Sequence, residues 1–205
     1  MKIYIYFTIL LIASSLIVNW FFPAYAWRIT KELKQELAVK EAAVKANPND
    51  AVTQFDLAVT YAYTNHLIDG MKTISRIPEL NPKFKNQAIA TYVEEVTAKP
   101  ADWRLRFRLA FAYYFNDMKT LAIKEFENVL KLDPYNVWAY GYIALIYGEM
   151  GEVDKAIAKT RAGLTIDSNV AALHLLLGEG YIKKGDSWGG WKERLEAVRL
   201  KSLGF

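Results

Sequence analysis

Apolar and polar residues follow two different patterns along this chain. From Ile3 to Phe22 the sequence carries no charge. Beyond it, apolar positions recur at i, i+1, i+4, i+7 and i+8, as in Ala122, Ile123, Phe126, Val129 and Leu130. That period marks amphipathic helices packed along one face. Pro48, Pro82 and Pro134 fall just after such helices, where a residue without an N–H cannot continue them. Gly151 and Gly185 end others, at positions where a left-handed cap costs glycine little. An all-α chain is expected. Glycine (11) and proline (6) are scarce among 205 residues, so long uninterrupted elements follow and a turn-rich β fold does not.

The helical part repeats itself. Leu57-Ala58, Leu109-Ala110, Ile143-Ala144 and Leu177-Gly178 are each followed three residues later by a tyrosine: Tyr61, Tyr113, Tyr147 and Tyr181. The last three sets lie thirty-four residues apart, and the first is displaced by a further eighteen. A small residue at that place admits a neighbouring helix, and the tyrosine one turn on fills the gap beside it. Second helices share an order too. Ala122-Ile123 precedes Phe126 and Leu132-Asp133-Pro134, and Ala156-Ile157 precedes Gly163-Leu164 and Ile166-Asp167-Ser168.

These residues resemble the tetratricopeptide repeat. The resemblance covers residues 51–84, 103–136, 137–170 and a degenerate 171–204. It implies a right-handed superhelix of antiparallel helix pairs that binds a protein or peptide partner on its concave surface. The chain departs from the family pattern in places. Gln54, Arg106, Tyr140 and His174 stand where the early tryptophan belongs, Gly70 and Gly190 replace an alanine, and Thr160 replaces an aromatic. Residues 85–98 are expected to form an inserted helix, a second helix whose first is missing. Residues 27–50 hold a capping helix for the open end of the stack.

The apolar run 3–22 would span about 30 Å as a helix, the thickness of a bilayer core. Tyr4 and Tyr6 lie near one end, with Trp20, Tyr25 and Trp27 at the other, as membrane interfaces favour. Residues 1–26 are therefore expected to be a transmembrane anchor behind which the solenoid, 51–205, is carried, and residues 3–22 to contact the lipid bilayer. A cleavable secretory signal ending at Ala24-Tyr25-Ala26 and a buried core helix are the other two readings. Arg28, Lys31 and Lys34 follow the segment and would keep the domain cytoplasmic, whereas the signal-like layout places it outside. The single-pass location expected is extracytoplasmic.

The net charge of +4 is spread among interleaved acids and bases, with no basic run, so nucleic acid is not an expected partner. The absence of cysteine excludes disulfides and thiol catalysis. His66 and His174 lack metal-like neighbours, and no nucleophile, base and orienter are spaced for catalysis. Trp188-Gly189-Gly190-Trp191 lacks the lysine-serine pair of a phosphate loop. It reads as a loop before a last helix whose Trp191, Leu195 and Val198 make a packing stripe. A non-enzyme without cofactor or metal is expected. The outward face of the first helices supplies the candidate partner groove: Phe55, Phe107, Phe111, Tyr114, Phe115, Trp138 and Tyr142, with Val59 and Leu145 beside them. The alternative is that these aromatics are interhelix core. The resemblance also brings in a carboxylate clamp of Lys, Asn and Arg, but those types do not recur here, although Arg104 and Arg108 supply charge. The function expected is a membrane-tethered interaction scaffold or assembly factor. The alternative is a structural subunit of a larger membrane complex, or of an end-to-end stack formed by self-association.

Overall fold

A computed structural model of the chain describes residues 29–204. Among them every regular element is a helix. In chain order these are α1 (Lys31–Ala46), α2 (Ala51–Ala62), α3 (Leu67–Ser75), α4 (Ile77–Leu80), α5 (Phe84–Ala98) and α6 (Trp103–Phe115). They continue as α7 (Lys119–Leu132), α8 (Val137–Glu149), α9 (Val153–Ile166), α10 (Ala171–Lys183) and α11 (Ser187–Ser202). From α5 onward each helix packs on the next, giving an α solenoid.

Local chemistry sets where the helices begin and turn. Thr30, Asp50, Asp102, Asn136 and Asp186 cap α1, α2, α6, α8 and α11, each side chain accepting from a backbone N–H of the first turn. Such caps contribute about 1 kcal/mol each. The turns inside the pairs α6–α7, α8–α9 and α10–α11 each contain one left-handed residue: Asp117 (φ 60°), Gly151 (φ 79°) and Gly185 (φ 86°). Asn65 (φ 62°) does the same between α2 and α3. Asp and Asn tolerate this conformation better than other side chains, so the turn survives where glycine is absent. The repeated dipeptides are buried, with Leu109 at 4%, Ala110 at 0% and Ala144 at 2% exposure, and their tyrosines half-buried.

The first unit is irregular. Its second helix stops at Ser75, and Pro78 sits at the start of the four-residue α4. α3 packs on α2, with Gly70 close enough that an added Cβ would lie 3.1 Å from the Ala58 carbonyl oxygen. The segment expected as an inserted helix at 85–98 is α5. It lies on α6 and reaches α2 through Phe84 and Tyr92, whose rings stand 5.3 and 5.4 Å from Phe55.

The single-pass membrane location is corrected: among the described residues no helix is long and apolar enough to cross a membrane. The expected anchor or signal at 1–26, and its bilayer contact through 3–22, lie outside the described residues. A second departure concerns residues 188–191, which form the first turns of α11 and not a loop. Asp186 accepts from the Gly189 N–H at 2.8 Å and starts that helix early.

A buried charge cluster joins the early helices. Arg108 on α6, with a side chain 5% exposed, meets Glu36 of α1 at 3.0 Å and Asp56 of α2 at 3.1 Å. Its Nε faces Asp56 within ion-pair distance but without hydrogen-bond alignment. Arg104 adds a 2.7 Å contact to Glu36, and Tyr63 and Tyr92 donate to Glu36 and Asp56 at 2.6 and 2.7 Å. Lys40 also pairs with Asp56. Burial pushes the Glu36 carboxyl up, but hydrogen bonds from Tyr63 and Arg104 and the charges of Arg108 and Arg104 outweigh it, holding its pKa below the ordinary 4.5.

Arg108→Met should destabilise the fold by about 3–5 kcal/mol, because two carboxylates lose a buried partner; urea unfolding measures it. Since the folded Glu36 pKa is lowered, its stabilisation is complete above the ordinary value and fades as pH falls through the folded one. Thermal midpoints taken from about pH 6 down to about pH 3 should therefore fall less steeply in Glu36→Gln than in the native chain.

Candidate functional site

One face of the array is concave and apolar. Its groove encloses about 610 Å³. Small residues on the first helices lower its floor: Ala58 and Ala62 on α2, and Gly141 on α8. Met71 and Ile74 of α3 form one wall, and Leu175 and Leu176 of α10 form another. The aromatic side comes from Phe111, Tyr114 and Phe115 on α6 and from Trp138 and Tyr142 on α8, with Leu145 one turn on.

Polar atoms in this lining are few and mostly engaged. Tyr142 donates its hydroxyl hydrogen to the Ala62 carbonyl at 3.3 Å, and Tyr114 donates to Glu149 at 2.5 Å. Burial raises both phenol pKa values, with the Glu149 hydrogen bond adding to the effect at Tyr114. Both stay neutral across the physiological range. Glu179 is the acidic residue of the lining, and Arg194 meets it at 2.5 Å. The groove therefore offers apolar contact with little charge, a surface for packing rather than for acid–base work.

Of the seven groove candidates, Phe111, Tyr114, Phe115, Trp138 and Tyr142 line this cavity. Phe55 and Phe107 do not, and both are 0% exposed. Phe107 sits at the centre of a ring cluster, 5.0 Å from Phe126, 5.2 Å from Tyr63 and 5.6 Å from Phe111. The cause is helical pitch. Each four-residue step overshoots one turn by about 40°, so residues at 107, 111 and 115 spiral across the helix surface. Phe107 points into the core, Phe111 (7% exposed) lies at the boundary and Phe115 is half-buried at the groove. Phe55 is covered because α5 brings Phe84 and Tyr92 over it. Val59 is likewise core at 0% exposure.

The α3 wall and the small-residue floor were not among the sequence candidates. Gly141 carried a usable signal, since a glycine inside an apolar helix implies a close approach; an added Cβ there would lie 3.2 Å from Leu173. Arg104 and Arg108 are committed to Glu36 and are not free to hold a ligand carboxylate.

Residues 125–158, which span the second half of α7, all of α8 and the start of α9, match the family model for the tetratricopeptide repeat. Small glutamine-rich tetratricopeptide repeat-containing protein 2 of Saccharomyces cerevisiae is 26% identical over 138 residues, 65% of this chain but only 38% of that protein. Among solved structures, the MamA protein superposes with a TM-score of 0.54 at 22% identity, covering 83% of this chain and 84% of its own. YrrB, a tetratricopeptide protein with an unusual peptide-binding site, gives 0.52 at 15% identity, covering 80% and 92%. These likenesses establish a shared helical solenoid fold.

Phe107→Ala should cost about 3–5 kcal/mol of stability as a deletion at the centre of the ring cluster. Leu145→Ala, at a half-buried groove position, should cost markedly less. Chemical denaturation of the two variants side by side checks the assignment of core and groove.

Proposed function

We propose that this chain is a protein-interaction module which receives an apolar, uncharged peptide segment of a partner protein in the groove between α3, α6, α8 and α10. The observation that carries the reading is the groove itself: large aromatic walls over a floor of alanine and glycine, with its polar atoms already engaged. Apolar concavities of this size are where proteins concentrate binding energy. The tetratricopeptide match and the fold shared with YrrB, a protein with a peptide-binding site, support a peptide as the occupant. Binding rather than catalysis is the role proposed, because the lining holds no pairing of nucleophile and base.

Met71 and Leu145 suit a test because neither is core; Met71 is 71% exposed. A photo-crosslinking residue at Leu145 should capture partner peptides that are apolar and poor in charge, identified by mass spectrometry. Met71→Glu should reduce that capture at least tenfold, about 1.4 kcal/mol, without moving the thermal midpoint. Capture unaffected by Met71→Glu, or dominated by charged segments, would overturn the proposal.

A further inference from the structure

The last helix is built the wrong way round for an end cap. α11 approaches α10 through small residues: Gly189, Gly190 and Ala197 are buried, and a Cβ added at Gly190 would lie 2.9 Å from the Gly178 carbonyl oxygen. Leu200 near its C-terminal end is buried beside Ala171, but the other large apolar side chains of α11 point outward. Trp188 is 72% exposed, Trp191 55%, Leu195 62% and Val198 66%. Their spacing of three, four and three residues places them on one stripe. The packing stripe expected for Trp191, Leu195 and Val198 is therefore present, but among the described residues no other helix packs on it; only the Arg194 guanidinium of the same helix lies over the Trp191 ring, 5.7 Å from its centroid.

We propose that this stripe pairs two copies of the chain, α11 against α11, in antiparallel orientation about a two-fold axis. Three features favour a second copy. The first is size matching along the stripe. Both tryptophans lie in its N-terminal half and Leu195 and Val198 in its C-terminal half. Antiparallel pairing sets the tryptophans of each copy over the smaller side chains of the other, and an isologous contact repeats that match twice. The second is charge. Lys192 and Glu196 lie on one flank of the stripe together with Arg199, which holds the Glu196 carboxylate at 2.5 Å, so reversing the second helix brings each lysine toward the other copy's Glu196–Arg199 pair. The opposite flank then meets its own copy with Arg194 neutralised by Glu179, whereas parallel pairing would face Lys192 and Arg199 with Arg194 and Lys201. The third is area. With Leu203, 59% exposed, the stripe offers about 500–600 Å² per copy, or about 1,000–1,200 Å² in the pair, the size at which specific interfaces begin.

Among the described residues head-to-tail stacking lacks a matching apolar stripe. The exposed face of α1 carries Lys31, Glu32, Lys34, Gln35, Glu41 and Lys45, with Val39 (60% exposed) as its one large apolar side chain. An isologous pair of end helices closes on itself, whereas a head-to-tail contact would propagate.

The full chain should show a concentration-dependent doubling of mass by sedimentation equilibrium. Leu195→Glu should weaken the dimer at least tenfold and leave the thermal midpoint of the dilute protein unchanged, because Leu195 is 62% exposed. The chain has no cysteine, so introduced thiols report orientation cleanly. A mixture of Trp191→Cys and Leu195→Cys chains should oxidise to a crosslinked dimer faster than Trp191→Cys alone. A native chain that stays monomeric, an association untouched by Leu195→Glu, or preferential crosslinking of Trp191→Cys to itself would each overturn the proposal. The first result would leave the stripe to a different partner, and the second would place self-association elsewhere.

Discussion

A single buried guanidinium organises the irregular half of this solenoid. Arg108 lies where three helices converge, and its two carboxylate partners come from sequence positions 72 and 52 residues earlier. Neither acid could be buried alone, since an isolated charge in a protein interior costs several kcal/mol even after relaxation. The requirement that all of these charges be neutralised together fixes the approach of α1 and α2 to α6. Tyr92 carries the constraint on to α5 through Asp56. Hydrophobic packing alone would tolerate sliding of smooth helix faces; directional ion pairs and hydrogen bonds do not.

With the early helices held in this way, the concave face acquires its shape from mismatched side-chain sizes. Alanine and glycine on α2 and α8 recess the floor, while α3 leans along the groove and contributes Met71 and Ile74. Phe111 belongs to both worlds, stacked on Phe107 at 5.6 Å and facing the cavity. Core and groove thus share a wall one side chain thick. A ligand that pressed on Phe111 would press on the ring cluster behind it.

Much of the fold was legible in the sequence, because it depends on local periodicity. The register of Leu109-Ala110, Ile143-Ala144 and Leu177-Gly178 located first helices correctly, and Gly151 and Gly185 marked true turns. Five groove residues could be named from helical phase. Phe55 and Phe107 could not be separated from them, because that needs the rotation of each helix relative to its neighbours. The ion pairs of Arg108 were hidden for a related reason: acid and base lie tens of residues apart, with nothing local to link them. In α11 the period was read correctly and its facing was not. A stripe of large residues ordinarily packs inward, and only the close glycine contact with α10 shows that here it points away.

That glycine contact and the Arg108 cluster give the two ends of the array unequal grip. Contacts in a solenoid run mainly between neighbours, so each interface must hold on its own. Around α6, separation would demand the rupture of several ion pairs at once. Between α10 and α11 the seam holds close small-residue contacts, Leu200 buried beside Ala171, and the side-chain pairs Arg194 with Glu179 and His174 with Glu193, and among the described residues no further helix backs α11. Under a stretching force this protein would not yield uniformly. It would peel from its C-terminal end, surrendering the last hairpin first and keeping the Arg108 knot until late.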